Sequence, residues 1–171
     1  IGLTKQGESP EETLSALFGG GDQSSEETSE EESLEPRWVF LPISDYTSVK
    51  GVASAARVVS FNATTQLSDR YQTGKFIGID RVDFTQVTFW RDDFANTSLG
   101  ALMNNLALTS NGVLVPSDYL GTHYLKIGDT LKITVYTYTN EAVDLDFLIV
   151  GTFNMFPTWY SEDAGPLFVG N

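Results

Sequence analysis

The sequence offers few side chains that could carry out acid–base or metal chemistry. His123 is the one histidine among the 171 residues, and there is no cysteine. A histidine titrates near neutral pH and can act as a general base or a metal ligand, but a zinc site needs further nitrogen or sulfur ligands, which this sequence does not supply. We therefore interpret His123 as a partly exposed helix residue, and the sequence predicts no catalytic residue and no metal site.

Two pairs of aspartates are the remaining candidates for acid–base chemistry. Asp144 and Asp146 share one face of a predicted strand, about 7 Å apart for a two-residue repeat, and that face has the alternation of a solvent-exposed hairpin. Asp92 and Asp93 are adjacent in sequence, where a predicted helix ends and a loop begins. We interpret both pairs as solvated carboxylates. A weak calcium contact at the first pair, without EF-hand spacing, and a hydrolase built on the second pair are the alternatives.

Motifs and overall charge exclude several further classes of function. The sequence contains no P-loop, no G-x-G-x-x-G and no G-x-S-x-G. Its 23 acidic and 10 basic residues give a formal net charge of −13, which argues against nucleic acid because phosphates require Lys and Arg. The same balance argues against electrostatic docking on anionic lipid head groups. The sequence therefore predicts a protein that is not an enzyme, uses no cofactor and binds no nucleic acid.

Aromatic side chains are the strongest binding signal. One group lies between two predicted helices, and another lies in a proline-containing loop near 153–160. Aromatic residues on loops can form a contact surface for a partner, whereas their alternative role is to anchor the core. We predict possible partner contacts at six residues, namely Phe153, Phe156, Trp159, Tyr160, Trp90 and Phe94.

The positions of charged and aromatic residues divide the chain into a tail and a body. Residues 1–36 contain ten acidic residues and one lysine, and all but one of the aromatic residues lie outside this stretch. Such a segment cannot bury enough apolar surface to offset its ordering entropy, so 1–36 is predicted to be a largely disordered acidic linker. A short helix could form at 10–18, because Ser9 and Pro10 suit its first positions. The body, 37–171, is predicted to be the folded domain.

Within the body, predicted strands alternate with short helices, which indicates an α+β fold with a mixed sheet. Strands are predicted near 38–41, 55–67, 75–79, 113–115, 131–136, 142–153 and 167–169. The clearest helix follows Ser98 and places on one face Leu99, Leu102, Met103 and Leu106. Another helix is predicted from an Asp80 cap to about Trp90, with Val82, Val87 and Trp90 inward. Residues near 131–153 are predicted to form a hairpin.

Several short phrases occur in an order that resembles the extracytoplasmic domain of FtsX-like (MacB-type) ABC transporter permeases. The phrases are Gly51–Val58, Phe76–Asp80, Gly112–Ser117, Leu125–Leu131 and Phe147–Phe153, and the last is followed by Phe156-Pro157. Their order and spacing across 37–171 carry the resemblance.

The resemblance implies a porter-like lobe with a mixed sheet and short helices, plus a small β-rich lobe at about 125–156. It also implies a position on the extracytoplasmic side of the cell membrane, between transmembrane helices of the permease, with a separate ATPase subunit. No apolar run is longer than that at 147–150, which is far shorter than the roughly 20 residues of a membrane-spanning helix. The expected function is to relay motion across the membrane and to contact an envelope protein or a lipid-linked substrate. A free-standing extracellular module that binds a sugar or a peptide is the alternative.

Overall fold

The computed structural model describes residues 41–67, 70–139, 141–159 and 165–171. The predicted linker 1–36, with its helix at 10–18, lies outside these residues, as does most of the predicted strand at 38–41. The strands of the described part are β1 (Val58–Leu67), β2 (Arg70–Ile79), β3 (Gly112–Pro116), β4 (Thr130–Tyr136), β5 (Ala142–Phe153) and β6 (Leu167–Gly170). Its helices are α1 (Ile43–Thr47), α2 (Arg81–Val87), α3 (Leu99–Leu108) and α4 (Ser117–His123).

The six strands close into a barrel in the order β1-β2-β6-β3-β5-β4. β2 with β6 and β3 with β5 are parallel pairs, and the other four neighbouring pairs are antiparallel. Closure gives every strand a hydrogen-bonded neighbour on both sides over at least part of its length, which limits unpaired edges.

Strand β4 shows how the sequence pattern builds the barrel wall. Leu131, Ile133 and Val135 are buried, whereas the intervening Lys132 is exposed. β5 pairs with β4 from Ala142 to Leu148 in antiparallel register. The predicted hairpin is therefore confirmed, as is the buried face of β4. On β5 the predicted apolar face is buried only from Phe147 onward, since Val143 and Leu145 are 40% and 41% exposed.

Two apolar clusters lie on the two faces of the barrel wall. One cluster takes residues from β1, β3, β4, β5 and β6, including Ala63, Val113, Ile133, Ile149 and Phe168. Because side chains alternate between the two faces of a barrel strand, these residues fill the interior. The other cluster joins the outward-facing residues of β2, β3, β5 and β6 to α2 and α3. The helices thus cover one outer side of the barrel.

Helix α3 matches the sequence prediction closely. Ser98 Oγ accepts a hydrogen bond from Ala101 N at 3.3 Å, which is an N-cap contact. The four apolar residues at helical spacing, Leu99, Leu102, Met103 and Leu106, are all buried.

Helix α2 corrects the predicted inward face. The Asp80 cap is present, since its Oδ1 accepts from Val82 N at 3.1 Å. The helix ends at Val87, however, and its buried residue is Phe84, while Val82 is 58% exposed and Val87 is 42% exposed. Trp90, which was also predicted to face inward, lies beyond the end of α2 and is half-buried against the same cluster, whereas the Phe84 ring fills the space beside α3.

The predicted α+β fold, with a porter-like lobe and a separate β-rich lobe at 125–156, is wrong. The described residues form a closed six-stranded mixed barrel with a few short helices. β4 pairs with β1 through 62–65 and 133–136, and β5 pairs with β3, so the hairpin is part of the same wall. These pairings join segments far apart in sequence, and such contacts leave no signal in local hydrophobic periodicity. No helix of the described part is long and apolar enough to cross a membrane.

Candidate functional site

Two parallel strands end at the same edge of the barrel and position the candidate site. β3 and β5 run side by side until Pro116 lies opposite Phe153. The chain continues from β3 directly into α4, and from β5 into the segment 154–159. Loops that follow parallel neighbours meet at one edge, where binding sites commonly form.

A groove of about 1050 Å³ lies between these two continuations. We call it the α4 groove. It is lined among others by Gln72, Tyr119, His123, Phe94, Phe156 and Trp159. Its size is that of a small-ligand or side-chain binding cleft.

Tyr119 holds the α4 wall against the barrel. Its side chain is 5% exposed, and its hydroxyl lies 2.9 Å from the Thr65 Oγ1, which is itself fully buried. Burial raises the pKa of the Tyr119 phenol above its usual value, and the hydrogen bond with Thr65 opposes that change. The phenol therefore stays protonated at neutral pH.

His123 lies one helical turn further along the same wall. Its ring centroid is 4.5 Å from that of Tyr119, and its Nε2 is 3.1 Å from Gln72 Oε1. An amide oxygen neither activates a histidine as a carboxylate does nor acts as a nucleophile. This geometry agrees with the interpretation of His123 as a partly exposed helix residue.

Asn154 ties the three sides of the α4 groove together. Its backbone N donates to Phe94 O at 2.6 Å, and its Nδ2 donates to Asp93 O at 3.3 Å. Its Oδ1 accepts from Ser117 Oγ at 2.5 Å. One side chain thus fixes the segment after β5, the 91–94 loop and the start of α4.

A turn at the rim of the α4 groove has an unusual backbone. Trp159 N donates to Phe156 O at 3.1 Å, which closes a turn whose central residues are Pro157 and Thr158. Thr158 has φ 68°, a conformation that β-branched residues rarely adopt. Tyr124, which directly follows α4, has φ 56°. Among the described residues these are the two non-glycine positions with positive φ, and strained positions of this kind tend to cluster at functional sites.

Five of the six predicted contact residues belong to one aromatic cluster. Trp90 lies 5.4 Å from Phe94 and 6.0 Å from Phe156, and Phe153 lies 5.2 Å from Phe156 and 5.9 Å from Trp159, between ring centroids. Phe153 is fully buried and Phe156 is 4% exposed, whereas the other three rings are half-buried. Tyr160 lies outside the described residues. Phe94, Phe156 and Trp159 line the α4 groove, while Phe153 lies beneath it in the core.

The aspartate pairs form surface contacts. Asp93 pairs with Arg91, with Nε 2.9 Å from Oδ1, and Asp92 is exposed beside it. Asp144 accepts from Thr134 Oγ1 at 2.7 Å and pairs with Lys132 at 3.0 Å. The Thr134 hydrogen bond, with help from Lys132, lowers the pKa of the Asp144 carboxyl. Within the described residues, no group of three or more His, Asp or Glu side chains could hold a metal ion.

Sequence reasoning missed Gln72, Tyr119, Asn154 and Met155 as residues of the site. Met155 is 52% exposed at the rim. The signal that could have found them is the parallel pairing of β3 with β5, since it brings α4 and 154–159 together. That pairing is not visible in a single sequence. No protein-family model matches the chain, and no curated protein matches its sequence.

Proposed function

We propose that this domain is a non-catalytic binding domain on the extracytoplasmic side of an FtsX-like ABC transporter permease, and that it contacts its partner through the α4 groove. The observation that carries the proposal is the groove itself, with an aromatic floor and a polar rim at the carboxyl ends of β3 and β5. An apolar floor with polar groups around it is the usual arrangement of a binding cleft.

The hydrogen bonds of the groove favour binding over catalysis. The Tyr119 hydroxyl is held by Thr65, His123 contacts an amide, and Ser117 Oγ donates to Asn154. None of these contacts joins a nucleophile to a general base, which is the arrangement that covalent catalysis requires. The Asp93 carboxylate is occupied by Arg91, so the hydrolase alternative gains no support from the second aspartate pair.

The permease part of the proposal is supported by the resemblance of the ordered phrases across 37–171.

Site-specific photocrosslinking in the intact parent protein tests the proposal. A benzoylphenylalanine at Met155, on the groove rim, is expected to crosslink one partner in native membranes. The same amino acid at Leu108, which is 85% exposed and lies outside the groove, is the matched control. Equal crosslinking at both positions, or none at Met155, would remove the groove from the proposal. If the solubilised and purified parent protein contains no ATPase subunit, the proposal that it is a permease would be contradicted.

A free-standing extracellular ligand-binding module is the second candidate. In this candidate the α4 groove is the ligand site, because a cleft of this size could hold a sugar or a peptide in a protein that is not part of a transporter. Purification of the parent protein from a soluble fraction, with no associated membrane subunit, would favour this candidate.

A further inference from the structure

We infer that the α4 groove accepts a large apolar side chain, aromatic or aliphatic, from a polypeptide segment that carries basic residues next to that side chain. This inference rests on the proposed binding function and adds the chemistry of the occupant. Its support comes from the apolar floor, the charge of the lining and the hydrogen bonds already made by the amide groups.

The floor of the α4 groove is apolar and its rim is adaptable. Tyr119 and Phe156 are buried, at 5% and 4% exposure, and present the floor. Met155 also lines the groove and is 52% exposed. A methionine can change its rotamers to fit different apolar shapes, and an apolar anchor in a desolvated pocket contributes most of the affinity in many interfaces. These features suit a protruding side chain.

The charge of the lining selects the residues next to that side chain. Arg91 lines the groove, but Asp93 neutralises it through two contacts. Asp118 also lines the groove, is exposed, and forms no ion pair with any described residue. The charge of the lining without a counter-charge is therefore negative. Lysine or arginine in the partner would complement it and speed association.

The amide groups argue against a sugar as the occupant. Sugar hydroxyls require side-chain donors and acceptors that are free to bind them. Asn154 already uses Oδ1 for Ser117 and Nδ2 for Asp93 O, and Gln72 Oε1 contacts His123. A sugar would be limited to the donor and acceptor sites that these contacts leave over. An apolar side chain leaves them intact.

Titration of the labelled protein with defined peptides tests the inference. The probe is a synthetic heptapeptide with one central phenylalanine, a lysine on each side of it, and glycines at the remaining positions. Binding is followed by the indole N–H resonance of Trp159 in ¹⁵N spectra, which is assigned with a Trp159→Phe variant. We expect that resonance to shift with the lysine peptide. A peptide with alanine in place of phenylalanine, and one with glutamate in place of lysine, should each bind at least about tenfold more weakly.

Two protein variants complete the test. Asp118→Asn should lower the affinity for the lysine peptide by about two- to fivefold, as expected for the loss of one exposed charge pair. Asp146→Asn changes another exposed aspartate, on β5 and outside the groove, and should leave the affinity unchanged. Equal weakening by both variants would show a general charge effect and overturn the inferred site.

The outcomes separate this inference from the proposed function. Binding of cellotetraose, with a shift of Trp159 and no response to the peptides, would overturn the peptide chemistry and keep the groove as a binding site. No Trp159 shift with any probe at millimolar concentration would also overturn the inference. The photocrosslink from Met155 is read independently in native membranes, so its success would preserve the binding function in either case.

Discussion

Helices α3 and α4 both pack on β3, but they satisfy the local rules of helix formation to different degrees. α3 begins at a serine cap and buries four apolar side chains. α4 begins after Pro116 without a capping side chain, is followed by Tyr124 with φ 56°, and buries one side chain, Tyr119. In α3 the capping residue and the apolar face both favour a helix, whereas α4 lacks a capping side chain and buries only one residue. Such local inconsistency is expected where a segment is kept for binding.

The same contrast holds between the strands and the turn at 156–159. β4 alternates buried and exposed residues as a half-buried strand should. The turn places Thr158 at φ 68°, a position of the turn where glycine or asparagine is usual. Two connected parts of one fold thus differ in how well their residues suit their backbone.

Removal of a core side chain from α3 should have the largest effect. Leu102 is 1% exposed and packs beside Gly151, so Leu102→Ala leaves a cavity that the backbone of β5 cannot fill. We expect a loss of about 2–5 kcal/mol of unfolding free energy in urea titrations. Leu108→Ala, at an 85% exposed position of the same helix, is the control and should change stability by less than about 0.5 kcal/mol. Similar values for the two variants would contradict the packing of α3.

Sequence reasoning recovered α3 because its signals are local. A serine cap and a leucine face lie within ten residues, and nothing distant is needed to recognise them. The β4–β5 hairpin was recovered for the same reason, through its period-two alternation. The barrel was not, because closure depends on β2 pairing with β6 and β3 pairing with β5, and these partners are separated by long stretches of chain. Parallel pairs also bury both faces, so their strands show little alternation.

The α4 groove was only partly predictable for a related reason. Trp90 and Phe94 precede Phe156 by about sixty residues in the sequence, and their contact follows from the Asn154 hydrogen bonds to the 91–94 loop. Aromatic composition identified the rings, but it could not show that Phe153 faces the core while Trp159 faces the groove.

The short phrases that resemble a permease coincide largely with buried strands and turns. Gly112–Pro116 is wholly buried, and Gly128 has φ 99° in a turn. Such phrases therefore report on the barrel more directly than on function.

Loss of the Tyr119 hydroxyl should have the next largest effect. Tyr119→Phe leaves Thr65 Oγ1, at 0% exposure, without its 2.9 Å partner. We expect a loss of about 1–3 kcal/mol of unfolding free energy. The double variant Thr65→Val with Tyr119→Phe removes both polar groups and should recover most of this loss. A double variant as unstable as the sum of its single variants would show that the two groups are independent.

The same pair gives a pH dependence with a defined sign. The folded-state pKa of Tyr119 lies above the usual value of 10.0 because burial disfavours the phenolate. The stability contributed by the protonated, buried phenol is fully present below pH 10.0, and it is lost as the pH rises through the folded-state pKa. The stability difference between the protein and Tyr119→Phe should therefore shrink above pH 10.0. A difference that stays constant through this range would contradict the buried phenol.

Replacing the serine at the start of each helix should destabilise α3 more than α4. Ser98→Ala removes the contact to Ala101 N and should cost about 1 kcal/mol of unfolding free energy. Ser117→Ala, at the first residue of α4, removes no cap and loses only the bond to Asn154, so we expect less loss of stability but a perturbed groove. Chemical shifts of the Phe94 and Trp159 amides measure that perturbation. If Ser117→Ala costs more than Ser98→Ala, α4 is better anchored than its termini suggest.

Relief of the strained turn should have the smallest effect and the opposite sign. Thr158→Asn keeps a polar side chain at the rim but accepts φ near 68° more readily, because asparagine is enriched in the left-handed region. We expect a gain of up to about 1 kcal/mol of unfolding free energy, since a non-glycine residue there costs about 1–2 kcal/mol. If the strain is retained for binding, the stabilised variant should bind the lysine peptide more weakly than the unchanged protein. A variant that is more stable and binds equally well would show that the strained turn does not contribute to binding in the groove. The contrast between the α3 and α4 sides of the barrel would then rest on the two helices alone.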